Sequence, residues 1–416
     1  MIFFLLSPLF IAAHAYFVYE GFKWIDTLRL PRGLGRFVKI LAAVLWAVFS
    51  LSIFAAYFIP AGVTRESSPM LYILRRTLKK SGNYNLGVLI YMGMSFAVIL
   101  IGRLIEYFKL KKEGIEPKQV FGSALYRNKR AVMGVLNIVF IVLLMWYGVA
   151  HGKDIKLNTY EIELSKQVEG SSGIRIALVA DMHLGYSIGC EQMEKMADMI
   201  NASSPDIVIM AGDIFDNEYE ALDDPERLIE IFSSIKSRYG AYAVYGNHDI
   251  EEKIIGGFTF DYSNPAKAAG KEMNEFLDKA GITLLLDDLV LIDDAFYVYG
   301  RPDYSKPGNG TGKRKAPEEI TAGLDMSKPL IVIDHQPREL QALADAGVDI
   351  DLCGHTHDGQ IFPANILLKF ISENSYGYKK VGEMDDIVTS GVGLFGPYMR
   401  VGTISEVCNI KIRFTE

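Results

Sequence analysis

Two histidines stand two residues apart in Cys353-Gly354-His355-Thr356-His357. In extended backbone that spacing projects both imidazoles to one side, a geometry suited to metal coordination. Alone the pair is weak evidence, and two satisfied surface histidines would explain it equally well. The chain of 416 residues has only seven histidines, however. Five of them (His183, His248, His335, His355 and His357) sit in short acidic or glycine-rich motifs. Asp181, Asp213 and Asn247 stand in those same motifs, so the sequence offers seven nitrogen and oxygen donors: Asp181, His183, Asp213, Asn247, His335, His355 and His357. That is too many for one ion. Two ions sharing a bridging carboxylate would use them all, and divalent pairs roughly 3.5–4 Å apart recur in phosphate ester hydrolysis. Two divalent ions outweigh two carboxylates and a bridging hydroxide, which leaves a positive site for an anionic phosphoryl group.

These donors must be held by something regular. Apolar runs that read as strands (174–180, 207–211, 242–245, 331–333 and 350–353) each end just before one of the five motifs. Amphipathic stretches between them (191–201, 225–236 and 338–346) read as helices, and further strands are expected at 284–286 and 297–299. Alternation of this kind indicates a layered α/β domain, in which the carboxyl ends of the strands gather ligands.

Charge divides the chain. Residues 1–150 carry 18 Lys and Arg against 6 Asp and Glu, and the remainder 25 against 44. The acidic part argues against non-specific nucleic-acid binding, which needs Lys and Arg to neutralise phosphates. In the basic part four apolar runs, about 2–19, 38–59, 86–107 and 131–150, approach the roughly 20 residues needed to cross a bilayer in helix. The first lacks the charged start of a signal peptide and reads as a retained helix. His14 within it reads as a packed or interfacial residue. Loops 21–37 and 108–130 share one side and hold 11 Lys and Arg. The other side holds 8: Arg65, Arg75, Arg76, Lys79 and Lys80, with Lys153, Lys156 and Lys166 at the start of the acidic domain. That imbalance places the acidic domain outside the cytoplasm. Residues 71–80 read either as an amphipathic helix on the membrane surface or as an ordinary loop helix. The organisation expected is thus an all-α transmembrane region (1–150), a linker (151–169) and the α/β domain (170–416). Three cysteines without CxxC spacing indicate neither a disulfide framework nor a thiolate zinc site.

In order, Asp181-Met182-His183, Gly212-Asp213-Ile214-Phe215-Asp216, Gly246-Asn247-His248-Asp249, His335 and Gly354-His355-Thr356-His357 resemble the motifs of calcineurin-like metallophosphoesterases over roughly residues 170–412. The tail Thr389-Ser390-Gly391-Val392-Gly393, with Pro397, Arg400 and Ser405-Glu406, is similar to the membrane-associated branch of that family. The resemblance implies a four-layer β-sandwich flanked by helices. It also implies that Asp181, His183 and His357 bind one divalent ion, that Asp213 bridges, and that Asn247, His335 and His355 bind the second. His248 would meet the phosphoryl oxygen or protonate the leaving group, with Asp249 fixing its tautomer. Thiolate-free ligands of this kind suit Mn, Fe or Zn. The expected reaction is in-line attack by a metal-bridging hydroxide on a phosphodiester or pyrophosphate, in a lipid-linked or membrane-proximal substrate. An exported nuclease or nucleotidase of the same fold, or a catalytically silent metal-binding scaffold, are the alternatives.

Departures and additions concern single residues. Asp358 stands where family members often have glycine. Arg400 is read as a contact to substrate phosphate or as a structural salt bridge. Asp303 is read as a supporting hydrogen-bond partner or a turn residue. The Gly/Lys/Arg-rich stretch 304–315 is read as a mobile loop for an anionic headgroup. The apolar stretch 361–371 is read as a buried helix, or as a surface for bilayer or acyl chain.

Overall fold

The structure is a computed structural model. It describes residues 2–55, 59, 63, 67–168, 170–252, 254–255, 258–259 and 267–415, without the side chains of 2–10, 53, 55, 254–255 and 258–259. Arg65 lies outside the described residues, as do the side chains that begin the first apolar run. The chain forms two compact units, Met1–Tyr147 and Gly148–Glu416.

The first unit is helical: α1 (Ile2–Thr27), α2 (Arg32–Ala55), α3 (Pro69–Lys112), α4 (Pro117–Phe121) and α5 (Ala124–Gly152), whose last turn belongs to the second unit. Among the described residues α2, α3 and α5 are long and apolar enough to cross a membrane. The stretch 71–80 is no separate surface helix. It forms the first turns of α3, whose 44 residues span about 66 Å at 1.5 Å per residue.

The second unit is built on two six-stranded sheets. Its strands are β1 (Ile155–Leu164), β2 (Gly173–Val179), β3 (Ile207–Ala211), β4 (Ala241–Val244), β5 (Ile254–Ile255), β6 (Phe258–Thr259), β7 (Ile282–Leu284), β8 (Asp288–Ile292), β9 (Phe296–Gly300), β10 (Leu330–Ile333), β11 (Ile350–Cys353), β12 (Gly377–Val381), β13 (Met384–Val388) and β14 (Ser405–Phe414). One sheet has the order β1-β14-β2-β3-β4-β7 and the other β12-β13-β11-β10-β9-β8. Residues 155–164, expected as linker, are instead an edge strand, paired parallel to β14 from Ile155↔Ser405 to Leu164↔Phe414.

Alternation along the strands explains the layers. Ile176, Leu178, Ile207, Ile209, Val244, Ile331, Ile333, Ile350, Leu352, Ile387 and Ile410 meet in one core between the sheets, the arrangement of a β-sandwich. On the outer face of the second sheet, Tyr297, Tyr299, Leu330 and Val332 pack with Leu340 and Leu343 of α10 (Leu340–Asp345). Three amphipathic helices, α6 (Cys190–Ser203), α7 (Pro225–Ser233) and α8 (Lys271–Lys279), each bury one face, Met193, Met196 and Ile200 in the case of α6. Strands β2, β3 and β4 run parallel in one sheet, and β9, β10, β11 and β13 in the other. Their carboxyl ends are where the motif loops begin. Two short helices, α9 (Pro317–Thr321) and α11 (Ala364–Leu368), complete the unit.

Candidate active site

Backbone hydrogen bonds zip the loops of the first sheet together. Asp181 N donates to Gly212 O (2.9 Å), His183 N to Asp213 O (3.0 Å) and Leu184 N to Ile214 O (2.9 Å). From the second sheet Gly354 N donates to His335 O (3.0 Å), and Val392 N donates to Ala180 O (3.0 Å), tying the tail to β2. Glycine is required where these loops touch. A Cβ at Gly246 would lie 2.2 Å from Asp213 Oδ1, and one at Gly391, at φ +79, would lie 2.6 Å from Asp181 Cβ.

Five of the seven expected ligands sit in the left-handed region: Asp181 (φ 53), His183 (47), Asp213 (51), His355 (72) and His357 (51). Such conformations cost of order 1–3 kcal/mol each for ordinary residues and persist only where the surroundings enforce them. Here they turn side chains inward that regular strand geometry would alternate.

Two donor groups result. Asp181, His183 and His357 form one, with His183 Nε2 3.0 Å from His357 Nε2 and His357 Nε2 3.5 Å from Asp181 Oδ1. Asp213, His335 and His355 form the other, with His335 Nε2 3.2 Å from Asp213 Oδ2 and 3.3 Å from His355 Nδ1. Asp213 Oδ2 also lies 3.7 Å from His183 Nε2, so this carboxylate faces both groups. His335 Nδ1 donates to Ala211 O at 2.8 Å, which fixes its tautomer and leaves Nε2 free to ligate. Asn247 Oδ1 is buried without a hydrogen-bond partner, an arrangement that a cation would satisfy. This all-nitrogen-and-oxygen donor set fits two divalent ions.

Electrostatics agree. Burial pushes Asp181 up to about 6 and drives His248 and His355 down to about 4. Asp213 moves the other way. Although burial opposes it, the neighbouring His335, His248 and His183 hold its carboxyl well below the usual range. Burial likewise opposes charging of His335, yet Asp213 raises its proton affinity well above that of a free imidazole. Proton sharing of this kind is what a bound cation displaces.

Two expectations are corrected. Asp249 does not orient His248. Its oxygens accept the backbone N–H groups of Phe215 and Gly246, both at 2.7 Å, and so brace the loop. The partner of His248 Nδ1 is Asn217 Oδ1 at 2.5 Å, and Asp216 Oδ1 lies 4.0 Å away. Arg400 turns into the protein. Its guanidinium is fully buried and donates to the carbonyls of His357 (3.1 Å), Ser390, Gly391 (3.2 Å) and Gly393 (3.1 Å). It is a clamp on the loop carrying His357.

Other residues fall between the expected readings. Asp303 Oδ1 caps its turn through Ser305 N (2.9 Å) and Lys306 N (2.7 Å), while Oδ2 accepts from Gln336 beside His335 (2.8 Å). Both readings of Asp303 therefore apply. In the stretch 304–315, Arg314 is spent on Asp334 (3.1 Å) and Glu339, and Lys306 on Glu252 (2.5 Å), so these cations are held by carboxylates. Asp358 belongs to none of the donor groups among the described residues. Residues 361–371 are not a buried helix: Phe362, Ile366, Leu367, Phe370 and Ile371 are all exposed, Phe370 at 82%.

Three contributors had no role assigned in the sequence reading. Asp216 closes the Asp213 motif and Asn217 follows directly on it, so proximity could have flagged them. Phe395 could not have been found that way. Its ring centroid lies 5.4 Å from that of His183, 4.7 Å from His248 and 6.2 Å from His357, walling one side of the cluster.

Paired metal-donor groups at the carboxyl edge of a two-sheet α/β sandwich define a metal-dependent phosphoesterase. Residues 174–359 match the family model described as calcineurin-like phosphoesterase. Over 339 residues, 78% of this chain and 71% of the relative, it is 27% identical to a transmembrane protein with metallophosphoesterase domain from Danio rerio. Over 289 residues, 68% and 70% of the two chains, it is 26% identical to an uncharacterized metallophosphoesterase of Campylobacter jejuni. A solved dimetal phosphatase from Danio rerio overlays at a TM-score of 0.36 with 12% identity, covering 59% of this chain and 100% of that one, too slight a likeness to inform chemistry.

Proposed function

We propose that this protein is a membrane-anchored, dinuclear-metal phosphoesterase that cleaves a phosphodiester or pyrophosphate in a lipid-linked or membrane-proximal substrate. The observation that carries the proposal is the position of Asp213 between the two donor groups, 3.2 Å from His335 Nε2 and 3.7 Å from His183 Nε2. Asp181, His183 and His357 would hold one ion, Asn247, His335 and His355 the other, and Asp213 would serve both; Mn, Fe or Zn would suit these ligands. When bound, the ions supply Lewis acidity that neutralises phosphoryl oxygens and activates water. The rest falls to the chain. Asn217 orients His248, and an anionic phosphate beside that imidazole favours its protonated form. His248 then gives its proton to the leaving oxygen. Phe395 excludes water from one side. The exposed apolar surface at 361–371, a few residues past His357, supports a substrate presented at a membrane, and the balance of Lys and Arg supports a domain outside the cytoplasm.

The test is Asp213→Asn in purified protein loaded with Mn. Loss of an outer partner of a metal ligand costs roughly 10–100-fold, so loss of the bridging carboxylate should cost at least about 100-fold in hydrolysis of a soluble diester. Metal content should fall below two per chain. Full activity with two bound ions would refute the proposal.

A further inference from the structure

We infer that the helical unit holds a binding site for an anionic amphiphile, in a cavity among α1, α2, α3 and α5. Glu20, only 6% exposed, accepts from Arg103 at 3.0 Å and from Arg130 at 2.8 Å. One carboxylate against two guanidinium groups leaves a positive charge over. These three side chains line a cavity of about 270 Å³, and its other described lining residues are uncharged, with Phe17, Trp24, Trp46, Phe96 and Met133 among them. The cavity wall is constructed. Trp24 Nε1 donates to Ala131 O at 3.0 Å, and the indole fits against α5 only because residue 134 is glycine, where a Cβ would fall 1.8 Å from that nitrogen.

Excess positive charge beside an apolar hollow is costly until an anion neutralises it. Guanidinium pairs bind phosphate through charge-assisted, often bidentate hydrogen bonds. An acyl chain in the hollow with a phosphate on Arg103 and Arg130 answers both features at once. A cavity of this size takes part of one chain rather than a whole lipid. The ligand class is therefore a phosphate-bearing amphiphile, drawn from the bilayer or released by a phosphoesterase. Nothing in this site rests on the metal-centre reading, since every residue belongs to the helical unit.

Native mass spectrometry of the full-length protein tests it, with phosphatidylglycerol, phosphatidic acid and phosphatidylcholine offered at equal concentration. One anionic lipid should be retained at least about tenfold over phosphatidylcholine. Preference for phosphatidylglycerol would identify a bilayer diester as the source, and preference for phosphatidic acid a monoester of the kind a phosphoesterase releases. Arg130→Gln should abolish the selectivity. Glu20→Gln, which keeps both cations and removes their counter-charge, should strengthen it, an effect that a purely structural ion pair would not give. Ala43→Phe, which fills the hollow, should reduce retention without touching any charge, so the proposal survives a failure of Arg130→Gln to fold. Equal retention of all three lipids, or selectivity unmoved by Glu20→Gln and Ala43→Phe, would overturn it.

Discussion

Residue types alone carried the site a long way, because ligand chemistry allows few substitutes for His, Asp and Asn. Six of the seven donors anticipated from the motifs lie in two groups joined at Asp213, and the seventh, Asn247, is marked only by a buried side-chain oxygen without a hydrogen-bond partner. What the motifs could not convey was who supports whom. Asp249 follows His248 directly, yet its carboxylate is used up on Phe215 N and Gly246 N, and Asn217 stands at the imidazole instead. Adjacency in sequence says nothing about which way two side chains turn. Arg400 illustrates the same limit, since a buried guanidinium and a substrate-facing one are spelled alike. A prediction separates the roles. If His248 protonates the leaving group, His248→Ala should lower kcat by about 10²–10⁴-fold for an alkyl phosphodiester, the usual worth of general acid catalysis. A nitrophenyl ester, whose leaving group needs no proton, should lose far less. Asn217→Ala should show the same dependence with a loss of about 10–100-fold. Asp249→Asn should lower Tm without altering leaving-group dependence. An equal loss on both esters in His248→Ala would assign the residue to charge stabilisation.

Elements were legible where a strand is both buried and predominantly apolar. Strands β3 and β10 are uninterrupted apolar runs, β2 and β11 carry a single charged residue each (Arg175 and Asp351), and the expected and observed limits of all four agree within a residue. Strands with mixed faces were not. β1 reads IKLNTYEIEL, with Lys156, Leu157, Thr159, Glu161 and Glu163 partly or fully exposed, and resembled a linker. β13 carries Asp385 and Asp386 inside a fully buried strand, against every compositional cue. The helix α11 failed for the opposite reason, since apolar residues are expected inside and these are outside. The only charged residue between 361 and 372 is Lys369, and Leu367 and Phe370 close to it are exposed. If this surface meets a bilayer, each buried side chain is worth about 1.5–3 kcal/mol. The double substitution Phe370→Asp with Ile371→Asp should then reduce hydrolysis of a phosphate ester embedded in vesicles by at least about tenfold, leaving a soluble diester unaffected. Equal rates of variant and parent on vesicles would remove the apolar surface at 361–371 from substrate presentation.

At the scale of the whole molecule, the question is where the catalytic unit begins. Reading the motifs places its start near residue 170, yet the compact unit begins at Gly148. The reason lies in backbone partners. Gly148 O accepts from Arg400 N at 2.9 Å, and Gly152 O accepts from Ser405 Oγ at 2.9 Å and Gln192 Nε2 at 3.3 Å. From there the chain enters β1 and buries Ile155, Ile162 and Leu164. At about 1.5–3 kcal/mol each these three side chains alone contribute on the order of 5 kcal/mol, comparable to the entire net stability of a typical domain. A fragment starting at residue 170 would also expose the β14 edge along its full ten-residue pairing with β1, an invitation to aggregation. Such a fragment is therefore expected to be insoluble or unfolded, whereas one spanning 148–416 should melt cooperatively, retain two metal ions and hydrolyse a soluble diester within about threefold of the full chain. Circular dichroism melts and metal analysis on the two fragments decide the matter. Cooperative folding of 170–416 would show that β1 is an accessory strand and that the unit's stability resides wholly in the two inner sheets.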